Sequence, residues 1–456
     1  MPTFSPPKTH HRRMRATVAI VALAAVASAA VVPRTSAAAA ADSAVVEWID
    51  QNAAALSSTD PDAPVSELEP LRDVVGDATV VGLGESTHGS HEQFEVKHRM
   101  IRFLVEELGF RTVGFEADFA SGAVIDRYVV SGEGDPQEVV NELSSPFWAT
   151  EEILDLVEWM RAYNESNADD PVRFFGTDLL QLRQLSFDEV TAYVNEVAPD
   201  QAGELAGYLD PVRLRGESYE QFEWYFGVSE REQAELISSA QAARDLVAGL
   251  PATADPMVRA YAEQHTRAIV GWYENFAAGD DFRAGREVFI ADSIEWWQQL
   301  TGQSVAYWAA NVHTSAAGTS SYEAPEEGQS GTFAGGHLEQ RLGDGYVSIG
   351  TWFGEGAISS DYTAPAAQAI GAPATGLLEA TLTEASSPLY VVPVPAEAPP
   401  AVAQWFDSPA TMRMILPSFV EGEDGSDYTM NVPSLREAFD ALVFTSETSA
   451  SRLLGG

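Results

Sequence analysis

The chain has 456 residues, with 68 Asp and Glu against 26 Lys and Arg, no Cys, and a formal charge of −42. This length suits two or three domains, or one large α/β domain with an insertion, and a hydrophobic content of 45% argues against disorder. The acidic excess argues against a nucleic-acid partner and against electrostatic docking on anionic lipid, because both need Lys and Arg. The lack of Cys excludes disulfides, thiol catalysis and Cys-ligated zinc.

The first 41 residues are predicted to be a signal peptide and a flexible lead. Lys8, Arg12, Arg13 and Arg15 precede an apolar run from residue 16 to about 32, in which Ala27-Ser28-Ala29 provides small residues for cleavage. Cleavage after Ala29 removes those four positive charges and no acid, so −42 becomes −46. We expect a secreted or extracytoplasmic protein without stable membrane insertion; an uncleaved anchor is the alternative.

Short apolar runs punctuated by glycine predict buried strands. They are too apolar to alternate, which is typical of strands covered on both faces in a parallel sheet. Between them, 92–108 and 151–163 carry apolar residues at helical spacing. Strands that alternate with helices predict an α/β fold with a mainly parallel central sheet flanked by helices. The predicted strands are 78–83, 111–115, 172–175, 304–308, 346–349, 389–392 and 441–444.

Residues 185–303 differ from the rest because they show several amphipathic helical patterns and no convincing strand. We interpret this stretch as a lid-like helical insertion between a first core part, 42–184, and a second, 304–456, although it would also serve to enlarge the core. Its aromatic residues would help to select the substrate, although core packing is the alternative for most of them. They are Trp224, Tyr225, Trp272, Tyr273, Trp296 and Trp297. Residues 315–336 are rich in Gly, Ser and Thr and predict a mobile loop.

Four of the predicted strands run into polar side chains, and this repetition locates the chemistry. In open parallel sheets, ligands bind beyond the carboxyl ends of the strands, so these side chains should converge on one cleft. The strand ends carry Glu85 and His88, then Glu116 and Asp118, then Asp178, and finally Asn311 and His313.

His88 is the strongest catalytic candidate, because a neutral imidazole held in a turn can take a proton from water near pH 7. Glu85 and Glu116 would orient it and stabilise its protonated form, or pair with Lys97 or an arginine. His313 would act as a general acid or donate to a developing oxyanion. Each His has a structural alternative as a capping or core residue. His91, His98, His265 and His337 have less support, and His98 lies on an apolar helical stripe.

Several common catalytic motifs are absent. There is no G-x-S-x-G elbow, no dinucleotide-binding G-x-G-x-x-G after a strand, no phosphate-binding loop and no H-E-x-x-H. A metal site built from Glu85, His88, Glu116 and His313 stays open as an alternative, because these side chains offer oxygen and nitrogen ligands.

The stretch Gly82–Gly89, followed by Glu92, Phe94, Lys97 and 114–118, resembles the erythromycin esterase family. The resemblance covers about 65–450, and its later matches include Trp148 with Thr150, residues 159–164, Gly176-Thr177-Asp178, Arg286-Glu287, Trp308 with Asn311 and His313, and 439–444.

The resemblance implies an α/β fold with a large helical portion and hydrolysis of a carboxylic ester, such as a macrolide lactone, without a cofactor or required metal. His88 would activate water, Glu85 and Glu116 would orient and charge-stabilise it, and His313 would assist at the carbonyl or leaving oxygen. The expected substrate-binding residues are Lys97, Asp118, Asp178, Asn311 and Arg286. A metal-dependent hydrolase and a non-catalytic binding protein are the alternatives, and the expected partner is a small-molecule ester.

Overall fold

A computed structural model describes residues 36–143, 145, 147–216, 218–251, 255–279, 282–325, 327–360, 366–415, 419 and 425–455. The expected signal peptide and its cleavage site lie outside these residues, and residues 36–41 belong to the first helix. The strands are β1 Ala54–Ala55, β2 Val80–Glu85, β3 Thr112–Asp118, β4 Arg173–Asp178, β5 Val305–Ala310, β6 Ser320–Ala324, β7 Glu327–Gly331, β8 Tyr346–Ser360, β9 Ala366–Ile370, β10 Leu389–Pro393, β11 Ala410–Arg413, β12 Thr429–Val432 and β13 Ala441–Thr448.

Helices occupy most of the segments between the strands. The α-helices are α1 Ser36–Asn52, α2 Pro70–Val75, α3 His91–Leu108, α4 Phe119–Ser131, α5 Pro136–Asn141, α6 Glu151–Ser166, α7 Gln184–Val197, α8 Ala202–Leu209, α9 Ser218–Gly227, α10 Glu230–Ala248, α11 Pro256–Ala277, α12 Phe282–Thr301, α13 Asn311–Thr314, α14 Ala334–Leu342, α15 Leu378–Leu382, α16 Pro400–Phe406 and α17 Leu435–Ala438. No helix within the described ranges has both the length and the apolarity needed to cross a bilayer.

A nine-stranded, mainly parallel sheet forms the centre of the fold and confirms the predicted α/β class. Its strand order is β1-β10-β13-β8-β2-β5-β3-β4, with β9 paired to β8. The six strands from β13 to β4 are parallel, whereas β1, β10 and β9 pair antiparallel. Every residue of β2, β3 and β5 is buried, because helices cover both faces of the sheet. All seven predicted strands belong to this sheet.

The prediction of a mobile loop over 315–336 is wrong. This stretch forms the hairpin β6–β7, which joins β11 and β12 in a second, four-stranded antiparallel sheet. Tyr322 packs inward with only 7% of its surface exposed. The local composition did not indicate these strands, because β6 pairs with β12, which lies about a hundred residues further along the chain.

Residues 184–301 form the helices α7 to α12, and their described residues include no strand. Of the six aromatic residues considered for substrate selection, four follow the alternative and are core: Tyr225, Trp272, Tyr273 and Trp297 are at most 1% exposed. The Trp297 ring stacks on Phe175 of β4, with 4.7 Å between the ring centroids. Helix α12 is therefore packed directly against the central sheet.

Candidate active site

The predicted polar residues meet at the carboxyl ends of β2, β5, β3 and β4, which are consecutive in the sheet. Glu85 ends β2, Glu116 lies near the end of β3, and Asp178 ends β4. His313 lies in α13, which follows β5 directly. Because parallel strands present their carboxyl ends at one edge, groups that are far apart in sequence become neighbours here.

Glu85 is fully buried and has two partners. Its Oε1 lies 2.9 Å from Nδ1 of His88, and its Oε2 contacts Nζ of Lys97. Lys97 also donates to the carbonyl of Ala309 at 3.2 Å, and its ammonium lies 4.0 Å from the centroid of the Trp308 ring. Burial lowers the pKa of the Lys97 amine well below its usual range, and the charge of Glu116 opposes this effect.

His88 is held as a neutral base. Burial lowers its pKa below the ordinary 6.5, and the charges of His313 and Arg286 lower it further, against the opposing effect of Glu116. Donation from Nδ1 to Glu85 fixes the tautomer and leaves Nε2 as the basic atom. The ring packs edge-on against Trp148, with 4.7 Å between the centroids. About 9% of His88 stays exposed, so solvent reaches this histidine.

Glu116 is the centre of the cluster. Its Oε1 accepts from Nη2 of Arg286 at 3.0 Å and lies 3.3 Å from Nε2 of His313, while its Oε2 accepts from the backbone N–H of Ala310 at 2.9 Å. Although burial opposes its charge, His313, His88 and Arg286 hold the pKa of Glu116 well below its usual range. Glu116 is thus an ionised carboxylate between two imidazoles.

His313 is held protonated, whereas His88 is held neutral. Its Nδ1 lies 2.8 Å from Oε2 of Glu287, and its Nε2 faces Glu116. Although burial opposes the charge, these two carboxylates raise the pKa of His313 to about 10. Glu287 was not among the predicted site residues. Its position next to Arg286 was the available signal, but no spacing in the sequence links it to His313.

Arg286 binds the cluster to β4. Its Nε lies 3.0 Å from both carboxylate oxygens of Asp178, and its Nη2 lies 2.5 Å from Oδ2. Against the effect of burial, Asp178 and Glu116 raise the pKa of Arg286 well above its usual range. Asp118 has a helix-capping role, because it accepts from the backbone N–H of Ser121 at 2.9 Å and begins α4. The expected substrate contact of Asp118 stays a prediction beside this capping role. The same holds for Lys97, Asp178 and Arg286, whose side chains bind other protein groups here.

The expected substrate contact of Asn311 conflicts with its surroundings. The side chain is fully buried, and its amide donates to the carbonyl of Thr351 at 2.9 Å and accepts from the N–H of the same residue at 3.2 Å. Both polar atoms therefore join the end of β5 to β8.

We expect Asn311→Ala to lower the free energy of unfolding by about 1–3 kcal/mol, because it leaves buried backbone groups of Thr351 without partners. Chemical unfolding monitored by fluorescence measures this change. An unchanged unfolding midpoint together with a raised KM would restore the substrate-binding interpretation.

Three side chains of the cluster lie close enough together to share a metal ion. One ligand atom each from Glu85, His88 and Glu116 lies within 4.8 Å of the others. However, Glu85 already contacts the Lys97 amine, and Glu116 already contacts the Arg286 guanidinium. A divalent cation would have to sit beside these two basic side chains, so the donor set fits a proton-transfer site better than a metal site.

A groove of about 680 Å³ lies among α10, α11 and α12, and its lining includes Leu179 and Gly285, the chain neighbours of Asp178 and Arg286. Its wall includes Arg244, Arg267, Asn275 and Phe289, and it contains none of the four predicted catalytic residues.

The remaining histidines have other surroundings. His98 packs against Trp159, and burial lowers its pKa to about 3. His265 lies 3.2 Å from the hydroxyl of Ser186, and burial lowers its pKa in the same way. His337 is partly exposed on α14. His91 is the first residue of α3, three residues after His88, and lies between two carboxylates.

Comparison with known proteins decides the family. The model of the family described as erythromycin esterase matches residues 105–448, which is more than half of the chain. The chain belongs to the erythromycin esterase family. This confirms the resemblance found in the sequence, and membership of the erythromycin esterase family suggests an ester hydrolase.

Individual relatives are more distant. The chain is similar to the erythromycin esterase type II of Escherichia coli, 35% identical over 29% of this chain, and to the putative hydrolase YbfO of Bacillus subtilis strain 168, 29% identical over 34%. These matches span only about a third of the length of each relative, 31% and 33%.

Solved structures resemble the fold more completely. A Bacillus cereus protein covers 90% of this chain and 99% of its own, with a TM-score of 0.78 and 24% identity. A structure named as a succinoglycan biosynthesis protein has a TM-score of 0.78 and 25% identity, over 90% of this chain and 98% of its own. A mutant of the erythromycin esterase EreC in its open conformation has a TM-score of 0.65 and 16% identity, over 87% and 97% of the two chains.

Proposed function

We propose that this protein is an exported, metal-independent hydrolase that cleaves a carboxylic ester by His-activated water. The observation that carries the proposal is the pair of imidazoles on either side of Glu116, one held neutral and the other held protonated. Groups whose surroundings drive their pKa values apart in one site are suited to act as base and acid.

In the proposed reaction, Nε2 of His88 takes a proton from water while the water oxygen attacks the ester carbonyl carbon. Glu85 stabilises the imidazolium that forms, because it accepts from Nδ1 at 2.9 Å. The carbonyl oxygen becomes an oxyanion, for which His313 and Arg286 are the nearby cationic donors.

Breakdown of the tetrahedral intermediate breaks the bond between the carbonyl carbon and the alkoxy oxygen. The leaving oxygen takes a proton from an imidazolium of the site, and the products are a carboxylic acid and an alcohol. A lactone would open to one hydroxy acid, with the mass of one added water. No covalent enzyme intermediate forms, so burst kinetics or a trapped acyl-enzyme would contradict this route.

The activity should have a bell-shaped pH dependence. We expect kcat/KM to rise as His88 loses its proton at a pH below 6.5 and to fall near pH 10, where His313 loses its own. His313→Gln should lower activity and abolish the alkaline limb. The measurement is kcat/KM from pH 4 to 11. Hydrolysis measured with His88→Ala is subtracted to correct for the uncatalysed reaction. A flat pH profile for the wild type would rule out His88 as the base and His313 as the acid.

A bulky cyclic ester, such as a macrolide lactone, is the proposed substrate class. The erythromycin esterase family suggests it, and the helices of residues 185–303 provide Arg286 and Glu287 directly to the site. We further propose that this helical portion acts as the lid that selects the substrate, and that the segment before residue 42 directs export. Retention of that segment on a protein recovered inside the producing cell would contradict export.

The proposed function is tested by an ester-hydrolysis screen with mass detection, run at several salt concentrations because of the acidic charge. Macrolides and simple esters form the panel, and gain of one water by a substrate is the expected result. A non-catalytic binding protein would instead show no turnover while ligands raise its thermal stability. Treatment with a chelator should leave the activity unchanged, whereas its loss would favour a metal-dependent hydrolase.

A further inference from the structure

The last described residues of the chain, 449–455, lie over the turn that carries His88; we call them the C-terminal strap. The N–H of Ser451 donates to the carbonyl of Gly89 at 2.9 Å, and the N–H of His91 donates to the carbonyl of Ser449 at 2.9 Å. The same Gly89 carbonyl accepts from the N–H of Ser359 at 2.8 Å. The backbone on the C-terminal side of His88 is therefore held between the strap and β8.

The strap also holds the wall against which His88 packs. The N–H of Leu454 donates to the carbonyl of Ala149 at 2.9 Å, next to Trp148, and the N–H of Glu151 donates to the carbonyl of Arg452 at 2.7 Å. The turn and the aromatic wall thus share one support, although they come from different parts of the chain.

His91 provides the charge at the centre of this support. Its Nδ1 lies 2.6 Å from Oε1 of Glu152, and its Nε2 lies 3.1 Å from Oε1 of Glu95. With a carboxylate on each ring nitrogen, both nitrogens donate, so the ring is an imidazolium. Hydrogen bonds to Glu152 and then to Glu95 raise the pKa of His91 to about 10.

Glu152 links His91 to the strap. Its Oε1 accepts from the backbone N–H of Arg452 at 3.1 Å as well as from the imidazolium. The Arg452 guanidinium lies 3.4 Å from Nε2 of His91, but its side chain is 62% exposed, so water screens its charge. Without the imidazolium, Glu152 and Glu95 would keep two facing negative charges beside the strap.

We propose that His91 is a positioning residue for the catalytic base: its imidazolium binds Glu152, Glu152 binds the C-terminal strap, and the strap holds the turn and the wall that orient His88. The inference rests on the proposed function only in one respect, which is that its test includes a measurement of kcat. A small displacement of a reacting group costs up to about 100-fold in rate, so loosening this support should appear in kcat.

The test compares His91→Asn, which loses the charge, with His91→Lys, which keeps a cation between the two carboxylates. His337→Asn, on α14 and outside the cluster, is the matched control. We expect kcat of His91→Asn to fall about 10- to 100-fold with KM changed less than about twofold, and His91→Lys to recover most of it. Glu152→Gln, which keeps the side-chain volume, should give a smaller loss in the same direction and serves if His91→Asn fails to fold.

Two readouts do not need turnover. The NMR signals of the His88 imidazole should shift in His91→Asn and stay near their wild-type positions in His91→Lys, and amide exchange at Ser451 should rise only in the first. A wild-type kcat in folded His91→Asn, or unshifted His88 signals despite a lower kcat, would overturn the inference. Full activity in His88→Ala would overturn the proposed function instead, while the NMR and exchange results would still decide the role of His91.

Discussion

Replacing His88 with alanine is expected to lower kcat/KM for an ester substrate by about 10²- to 10⁴-fold, because the variant lacks the base that activates water. The loss should appear in kcat, since the imidazole acts on the transition state more than on substrate binding. Steady-state kinetics on the substrate found in the ester screen measures it. Circular dichroism and the thermal unfolding midpoint establish that the variant is folded.

His337→Ala is the matched control for the His88 variant, because it removes an imidazole that is partly exposed on α14 and outside the catalytic cluster. We expect it to keep the wild-type rate. A folded His88→Ala protein with the same turnover as His337→Ala would end the interpretation of His88 as the base.

The largest effect on stability is expected for Lys97→Met. Lys97 and Glu85 are both fully buried and contact each other, so the variant would leave a carboxylate with His88 as its one remaining partner among those the structure shows. Removing one partner of a buried ion pair costs about 3–5 kcal/mol, because the other charge loses its compensation without regaining water. The free energy of unfolding from chemical denaturation measures the loss.

Two further variants sharpen this prediction. Arg231→Met removes the cation of an exposed pair with Glu235, in which the side chains are 88% and 64% exposed, and should change stability by about 1 kcal/mol or less. Combining Lys97→Met with Glu85→Gln should recover part of the lost stability, since a buried amide costs less than a buried carboxylate. Equal stability of Lys97→Met and Arg231→Met would show that the buried pair contributes little.

The sequence was sufficient to predict the centre of the fold because its signals are local. A run of buried apolar residues followed by an ionisable one, as at Val80–Glu85, indicates both a central strand and the edge where chemistry occurs. The structure brings Glu85, His88, Glu116 and His313 together as this reasoning requires.

Other features were out of reach because their causes are far apart in the chain. Glu287 raises the pKa of His313 only because α12 packs against the sheet beside α13, and no periodicity indicates that contact. The hairpin of β6 and β7 depends on β12, and the support of His88 depends on Ser449–Leu454. The role of Asn311 is a further example, because a polar residue at a strand end is equally suited to bind substrate and to join two strands.

The position of β2 in the sheet has a consequence for how the protein folds. β2 hydrogen-bonds to β5 on one side and to β8 on the other, so its neighbours lie more than 200 residues downstream. Such a high contact order slows folding, because a long loop must close before any pairing energy is gained. While the downstream strands are still missing, the apolar residues of β2 remain uncovered and prone to aggregation. The strong negative charge of the chain opposes this aggregation, because partly folded chains repel one another until the sheet closes.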